Sequence, residues 1–248
     1  MCIAAIAWDA HPRWRLVVAA NRDESHDRPT APLARWNDGS GIIAGRDLRG
    51  GGTWLGVTEG PGRPGRFALV TNFRVPGQMP DPARPSRGAL VSALLVGTDP
   101  ALVPLGAYNP CNLMVASPSG AEFLASHPAS RRLPLAPGIH GLSNGPLDPP
   151  WLKTRRLSGA LTDWLGSTEP DFAPLFAALL DRTPTETDLS GSGPDPVLSS
   201  IFIANPAYGT RCSTVIAIDR AGAGRIIERS FGPDGHATGE VALEFGWS

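Results

Sequence analysis

The apolar positions of this 248-residue chain fall mostly into short runs bounded by turn residues, a pattern that predicts strands. The runs are Cys2–Trp8, Leu16–Ala20, Gly41–Ala44, Trp54–Thr58, Phe67–Asn72, Asn112–Ala116, Ala121–Ala125, Ser200–Ala204, Ser213–Asp219, Arg225–Ser230 and Val241–Phe245. Several are continuous rather than alternating, which predicts strands covered on both faces. Three segments keep helical spacing instead. Ser86–Val96 sets Leu90, Val91, Leu94 and Leu95 on one stripe behind Ser86 as N-cap. Trp151–Leu165 repeats Leu157, Ala160, Leu161, Trp164 and Leu165, with Asp148, Pro149 and Pro150 marking its start. Asp171–Arg182 does the same with Phe172, Leu175, Phe176, Leu179 and Leu180.

About a dozen strands, with helices clustered in the middle, predict an α+β single domain: sheets packed on each other with helices outside. A doubly wound parallel sheet needs the two to alternate. The Pro-rich stretches Val75–Pro85 and Thr183–Pro196 read as mobile loops and candidate lids. The chain holds 29 Gly and 26 Pro, well above the average of about 12% for the two together, which fits a turn-rich globule.

Charge and cysteine usage narrow the partners. Twenty-two basic residues face 23 acidic ones, so nothing here neutralises a nucleic-acid backbone or an anionic membrane surface. No run approaches the roughly 18 apolar residues of a membrane span, and the N-terminus lacks the pattern of a secretory signal. Cys2, Cys111 and Cys212 are odd in number and without CxxC spacing, so the expected location is reducing and cytoplasmic. The five histidines show no metal-ligand spacing, and no metal or cofactor is expected. The Gly50-Gly51-Gly52 run lacks a phosphate loop's ending and reads as a tight turn or close backbone approach. Lys153 is the single lysine; we read this excess of arginine as compositional bias rather than as a site.

Four places carry candidate chemistry. Removal of Met1 would give Cys2 a thiol and a free α-amine on one residue, and the amine can act as base for its own side chain. The plainer reading is a small residue opening a buried strand. Asn21-Arg22-Asp23-Glu24 ends an apolar strand, where four polar residues are costly unless they pair or act. Arg22 could depress a neighbouring thiol and Asp23 could orient an ammonium; a solvated strand end is the alternative. Asn72 and Asn144 end apolar runs and have the amide that stabilises an oxyanion, although Asn144-Gly145 also reads as a turn. Arg211, entering the strand after Tyr208, wants an acidic partner or an anionic ligand, unless it marks a hairpin rim.

These blocks resemble the NRDE family, which includes the transport-and-Golgi-organisation proteins. The likeness runs through Met1-Cys2, Asn21-Arg22-Asp23-Glu24, Gly45-Arg46-Asp47 with Gly52-Thr53-Trp54-Leu55-Gly56, and Thr71-Asn72-Phe73-Arg74. It continues through Gly141-Leu142-Ser143-Asn144 and Tyr208-Gly209-Thr210-Arg211-Cys212-Ser213-Thr214. That family in turn resembles the N-terminal-nucleophile hydrolases with a cysteine nucleophile. The resemblance implies a four-layer αββα sandwich and a linear amide or acyl substrate. It makes Cys2 the nucleophile, with Arg22 tuning the thiol and Asp23 holding the amine. Asn72 would serve the oxyanion, and Asn144 and Arg211 would complete the polar cluster. A second function consistent with the resemblance is a non-catalytic carrier of haem, lipid or acyl-CoA on the same fold.

Overall fold

Cys2–Trp8 contains no charged residue and is too short for a core helix; it forms β1, buried along its whole length. The computed structural model describes residues 2–60, 64–167, 171–184 and 198–247. Its strands are β1 (Cys2–Trp8), β2 (Trp14–Ser25), β3 (Thr30–Arg35), β4 (Ile42–Asp47), β5 (Leu55–Thr58), β6 (Arg66–Asn72), β7 (Cys111–Ser117) and β8 (Gly120–Ala125). They continue with β9 (Arg131–Pro134), β10 (Gly138–Leu142), β11 (Tyr208–Asp219), β12 (Ala223–Phe231) and β13 (Ala237–Gly246). The helices are α1 (Arg87–Leu95), α2 (Leu152–Leu165) and α3 (Ala173–Leu179), with short 3₁₀ turns at Pro100–Leu102 and Leu105–Ala107. The class is α+β. The chain divides into two compact units, one of Met1–Asp27, Pro137–Arg220 and Arg225–Ala242, the other of Arg28–Ala136, Ala221–Gly224 and Leu243–Ser248.

The body of the first unit is a six-stranded sheet in the order β10-β1-β2-β11-β12-β13. β1 pairs antiparallel with β10 and β2, and β2 with β11. Odd-numbered residues of β1 and β2, including Ile3, Ala5, Val17 and Ala19, meet Leu157, Leu161 and Trp164 of α2 and Leu175, Phe176 and Leu179 of α3. That is the apolar stripe expected of each helix. Close seating of α2 depends on Gly141 in β10, where a Cβ would come within 2.2 Å of Thr154 Cγ2.

The second unit is built on a meander, β3 through β9 in sequential order, with the printed pairings antiparallel. α1 packs Leu90, Val91, Leu94 and Leu95 against Ile42, Ala68, Val70 and Leu113. Ser86 holds the N-cap position without a side-chain cap bond. The glycine run is a close approach: Gly51 takes φ 74°, and a Cβ on Gly52 would fall 2.3 Å from the Gly88 carbonyl carbon in α1.

Several expectations need correction. Ser200–Ala204 is no strand but a buried loop with one bridge, Ala204 to Gly209. Asp148 does not start α2, whose N-cap is Trp151; its carboxylate instead accepts from the Gly141 N–H and faces His140 Nδ1 at 3.0 Å. β3, β9 and β10 lack the apolar runs that marked the other strands. Val75–Pro85 carries no regular element, and Asp81 is bound through its backbone to the Asn109 amide at 2.9 and 2.8 Å. Most of Thr183–Pro196 lies outside the described residues. Among the described residues no helix is long and apolar enough to cross a membrane.

Candidate active site

The polar tetrapeptide 21–24 does not end its strand. β11 runs alongside and carries β2 on to Ser25, which pairs with Tyr208. Residues directly opposite in an antiparallel pair share a face, and successive residues alternate. Cys2 stands opposite Arg22, and Arg22 stands opposite Cys212 on its other side. These three therefore share one face. Asn21 and Asp23 project to the face that carries the helices. There the Asn21 amide donates to the Leu179 and Ile201 carbonyls at 2.8 and 3.0 Å and accepts from Ser213 Oγ at 2.6 Å. Asp23 accepts from Thr210 Oγ1 at 2.7 Å, and the Thr210 hydroxyl accepts from the Ile203 N–H at 2.9 Å. Tyr208 OH donates to the Asp23 carbonyl.

The adjacent Arg22 and Asp23 side chains thus lie on opposite faces of the sheet, beside the end of β1 where Cys2 sits. A register shift between Thr210 and Cys212 leaves Arg211 as an extra residue in β11, a β-bulge. Its guanidinium donates to the Ser25 carbonyl at 3.0 Å. Asn144 follows β10 and is buried; the neighbouring Ser143 Oγ donates to the Cys2 carbonyl at 3.0 Å and lies 3.3 Å from Asn144 Oδ1. Cys2, Arg22, Asp23, Asn144 and Arg211 all belong to the first unit. Asn72 belongs to the second, where it closes β6 opposite Cys111, half-buried.

Electrostatics follow burial. Asp23 is 2% exposed, and burial raises its carboxyl to about 6 against the pull of the Thr210 hydroxyl and the Lys153 and Arg22 charges. Burial, with the Asp23 charge, pushes the Cys2 thiol up; the Asp23 backbone N–H and Arg22 work in the other direction. Cys212 is driven up further, by burial and then by Glu228. Burial and the nearby Arg22 charge lower Arg211. Arg22 also meets Glu24 at 3.8 Å.

The sequence reading missed Lys153, which is 1% exposed on α2, with its ammonium donating to the Leu198 carbonyl at 3.1 Å. It also missed Thr210 and Ser143, whose hydroxyls hold Asp23 and the Cys2 backbone. One signal was available: Lys153 lies four residues before Leu157 and eight before Leu161, on the stripe that faces the core. Among the described residues no group of three or more His, Cys, Asp or Glu side chains gathers as a metal site.

Fold and site together define an α+β protein with a buried cysteine, arginine and aspartate converging on the first strand. The Transport and Golgi organisation 2 family model matches residues 1–233. The chain is 32% identical over 265 aligned residues to the human Transport and Golgi organization protein 2 homolog, with 93% of each covered. The mouse homolog is 30% identical over 264 residues, again with 93% of each covered. A shorter match, 35% over 68 residues, is to Transport and Golgi organization protein 2 of Drosophila melanogaster. The chain belongs to the Transport and Golgi organisation 2 family.

Proposed function

We propose that this chain is an N-terminal-cysteine amidohydrolase or acyl transferase acting on a linear amide carbon–nitrogen bond, with Cys2 as nucleophile once Met1 is removed. The observation that carries the reading is the convergence at Cys2: Arg22 in register beside it, and Asp23 on the opposite face of the same strand end. In this reading the Cys2 α-amine takes the thiol proton and the thiolate attacks the amide carbonyl. Asn72 is assigned to the oxyanion by the family resemblance alone. The α-ammonium then protonates the departing amine as the carbon–nitrogen bond breaks. Water attacks the thioester, and hydrolysis returns the thiol and releases the acid; an amine in place of water completes acyl transfer. Asp23, ionised above about pH 6, holds the ammonium. The finer expectation of a four-layer αββα sandwich belongs to the same proposal.

One observation favours the rival reading, a non-catalytic carrier of haem, lipid or acyl-CoA. Burial keeps Cys2 a neutral thiol, a poor nucleophile. The relatives' names speak of transport and Golgi organisation, which fits either activity.

Intact mass of tag-free protein, followed by an acyl-amide screen against folded Cys2→Ala, separates them. The amidohydrolase reading expects Met1 to be absent and turnover to vanish with Cys2. Retained Met1 in folded, active protein, or turnover that survives Cys2→Ala, overturns it. Saturable haem or acyl-CoA binding that is indifferent to Cys2, without turnover, establishes the carrier.

A further inference from the structure

In a chain that uses arginine for every other strong base, the one lysine is more deeply buried than Arg22: Lys153 is 1% exposed and Arg22 7%. Burying an ammonium is expensive, so a surface preference for arginine does not explain it. Its position does suggest a role. Lys153 lies in the first turn of α2, on the stripe continued by Leu157 and Leu161 against the sheet. The helix is drawn down onto the sheet at Gly141 and Gly145, where Cβ atoms would strike Thr154 at 2.2 Å and the Trp151 ring at 2.7 Å. The face it meets is the one to which Asp23 projects.

Among the described residues the surrounding charges are these. β2 contributes Asp23 and β1 contributes Cys2, the two groups whose charges act on Lys153. β10 carries His140, which faces Asp148 at 3.0 Å, and α3 carries no ionisable side chain. On α2 itself, Arg155 and Arg156 are exposed, and Arg156 reaches Asp181 at 3.8 Å. The bond to Leu198 uses one of the three ammonium donors.

We infer that Lys153 is a positioning residue of the Cys2 site: its buried ammonium steadies the Cys2 thiolate and the Asp23 carboxylate from the helix side of the sheet. Because charge–charge coupling is mutual, a thiolate that raises the proton affinity of Lys153 is itself favoured by Lys153 to the same degree. Arg22 then flanks the strand end on one face and Lys153 on the other. This role rests on the reading of Cys2 as the reactive group, but its test requires no substrate.

A single lysine makes the test direct. Protein labelled with ¹³Cε-lysine gives one side-chain signal from Lys153, followed by NMR from pH 5 to 11. The signal is expected to show its own midpoint and a second inflection where Cys2 ionises. Cys2→Ser should erase that inflection, and Asp23→Asn should lower the lysine midpoint by about one pH unit, a tenfold change in proton affinity. A single midpoint that neither variant moves leaves Lys153 a structural donor to Leu198 and overturns the inference. The pH midpoint of Cys2 alkylation, read on its own peptide by mass spectrometry, gives the reverse measurement. Lys153→Met should raise that midpoint by about one unit and Lys153→Arg should restore most of it. If Lys153→Met does not fold, the labelled wild-type titration still decides. A reactive Cys2 with an unresponsive lysine defeats this inference and spares the nucleophile reading. An inert Cys2 with a responsive lysine does the opposite.

Discussion

Two aspartates near strand ends, Asp23 in the first unit and Asp47 in the second, have opposite environments. Asp47 accepts from Arg28 Nε at 2.7 Å and from the Arg49 and Gly50 backbone N–H groups at 3.0 Å each. Burial pulls its carboxyl up, but the Gly50 N–H and Arg28 outweigh that, so it lies below the usual carboxylate range. Asp23 has the Thr210 hydroxyl and the nearby charges, yet burial wins and leaves it near 6. The first arrangement uses a charge to close a turn. The second holds a charge where folding disfavours it, a pattern that singles out candidate sites for chemistry. An arginine precedes each, at 22 and 46, so dipeptide identity does not distinguish them.

Substitution should widen that contrast. Asp23→Asn is expected to reduce amide turnover about 100-fold while the protein stays folded. Asp47→Asn should leave turnover within about twofold and cost about 1–3 kcal/mol of stability from the loss of its turn contacts. Parallel kinetics and thermal melts of the two variants check this; equal turnover losses would erase the distinction.

The two units can also be loosened separately. Gly52→Ala drives a Cβ into the α1 backbone and Gly141→Ala drives one into Thr154, each expected to cost about 1–3 kcal/mol. Only Gly141→Ala, by lifting α2, should also alter the environment of the labelled lysine. A Gly52→Ala variant that moved that signal equally would contradict the separation.

The two aspartates should also differ in pH dependence. Asp23 has a folded pKa above the unfolded value of 3.8, so its contribution to stability is fully present below pH 3.8 and is lost as pH rises through about 6. Asp23→Asn should therefore gain on wild type across that window, by on the order of 2–3 kcal/mol at most. Asp47 runs the other way: its lowered carboxyl stabilises above pH 3.8, and that contribution fades as pH falls. Melts from pH 3 to 8 would show the two variants diverging with opposite slopes.

Where the sequence was legible, apolar continuity and burial coincided. Cys2–Trp8 is buried throughout and is β1 to the residue. It misled where burial arose without pairing. Ile201, Phe202 and Ile203 are buried without forming a strand: Ile201 packs into the core cluster, Phe202 packs edge-on against Phe231, and the Ile201 and Ile203 carbonyls accept from Asn21 and Thr210. β9 was illegible for the converse reason: Arg131–Pro134 pairs with β8 at a sheet edge with all four residues exposed, so backbone hydrogen bonds define it and no apolar pattern does. Among the candidate residues, Cys2, Arg22 and Asp23 stood out by their place beside apolar runs, and their assigned roles came from the family resemblance. That Arg22 and Asp23 diverge to opposite faces follows from pairing with β11, which no local pattern reveals. Lys153 was hidden because its meaning lies in a helix face set by distant strands.

The bulge at Arg211 has a genetic consequence. Thr210 already stands opposite Asp23 and Cys212 opposite Arg22, so the residue between them occupies no rung of the ladder. Deleting its codon would draw Thr210 and Cys212 together and leave those two pairings as they are, whereas deletion of an in-register residue elsewhere in β11 would turn the following side chains to the wrong face. The guanidinium at the Ser25 carbonyl can thus be gained or lost by a one-codon insertion or deletion, with the rest of the strand kept in frame.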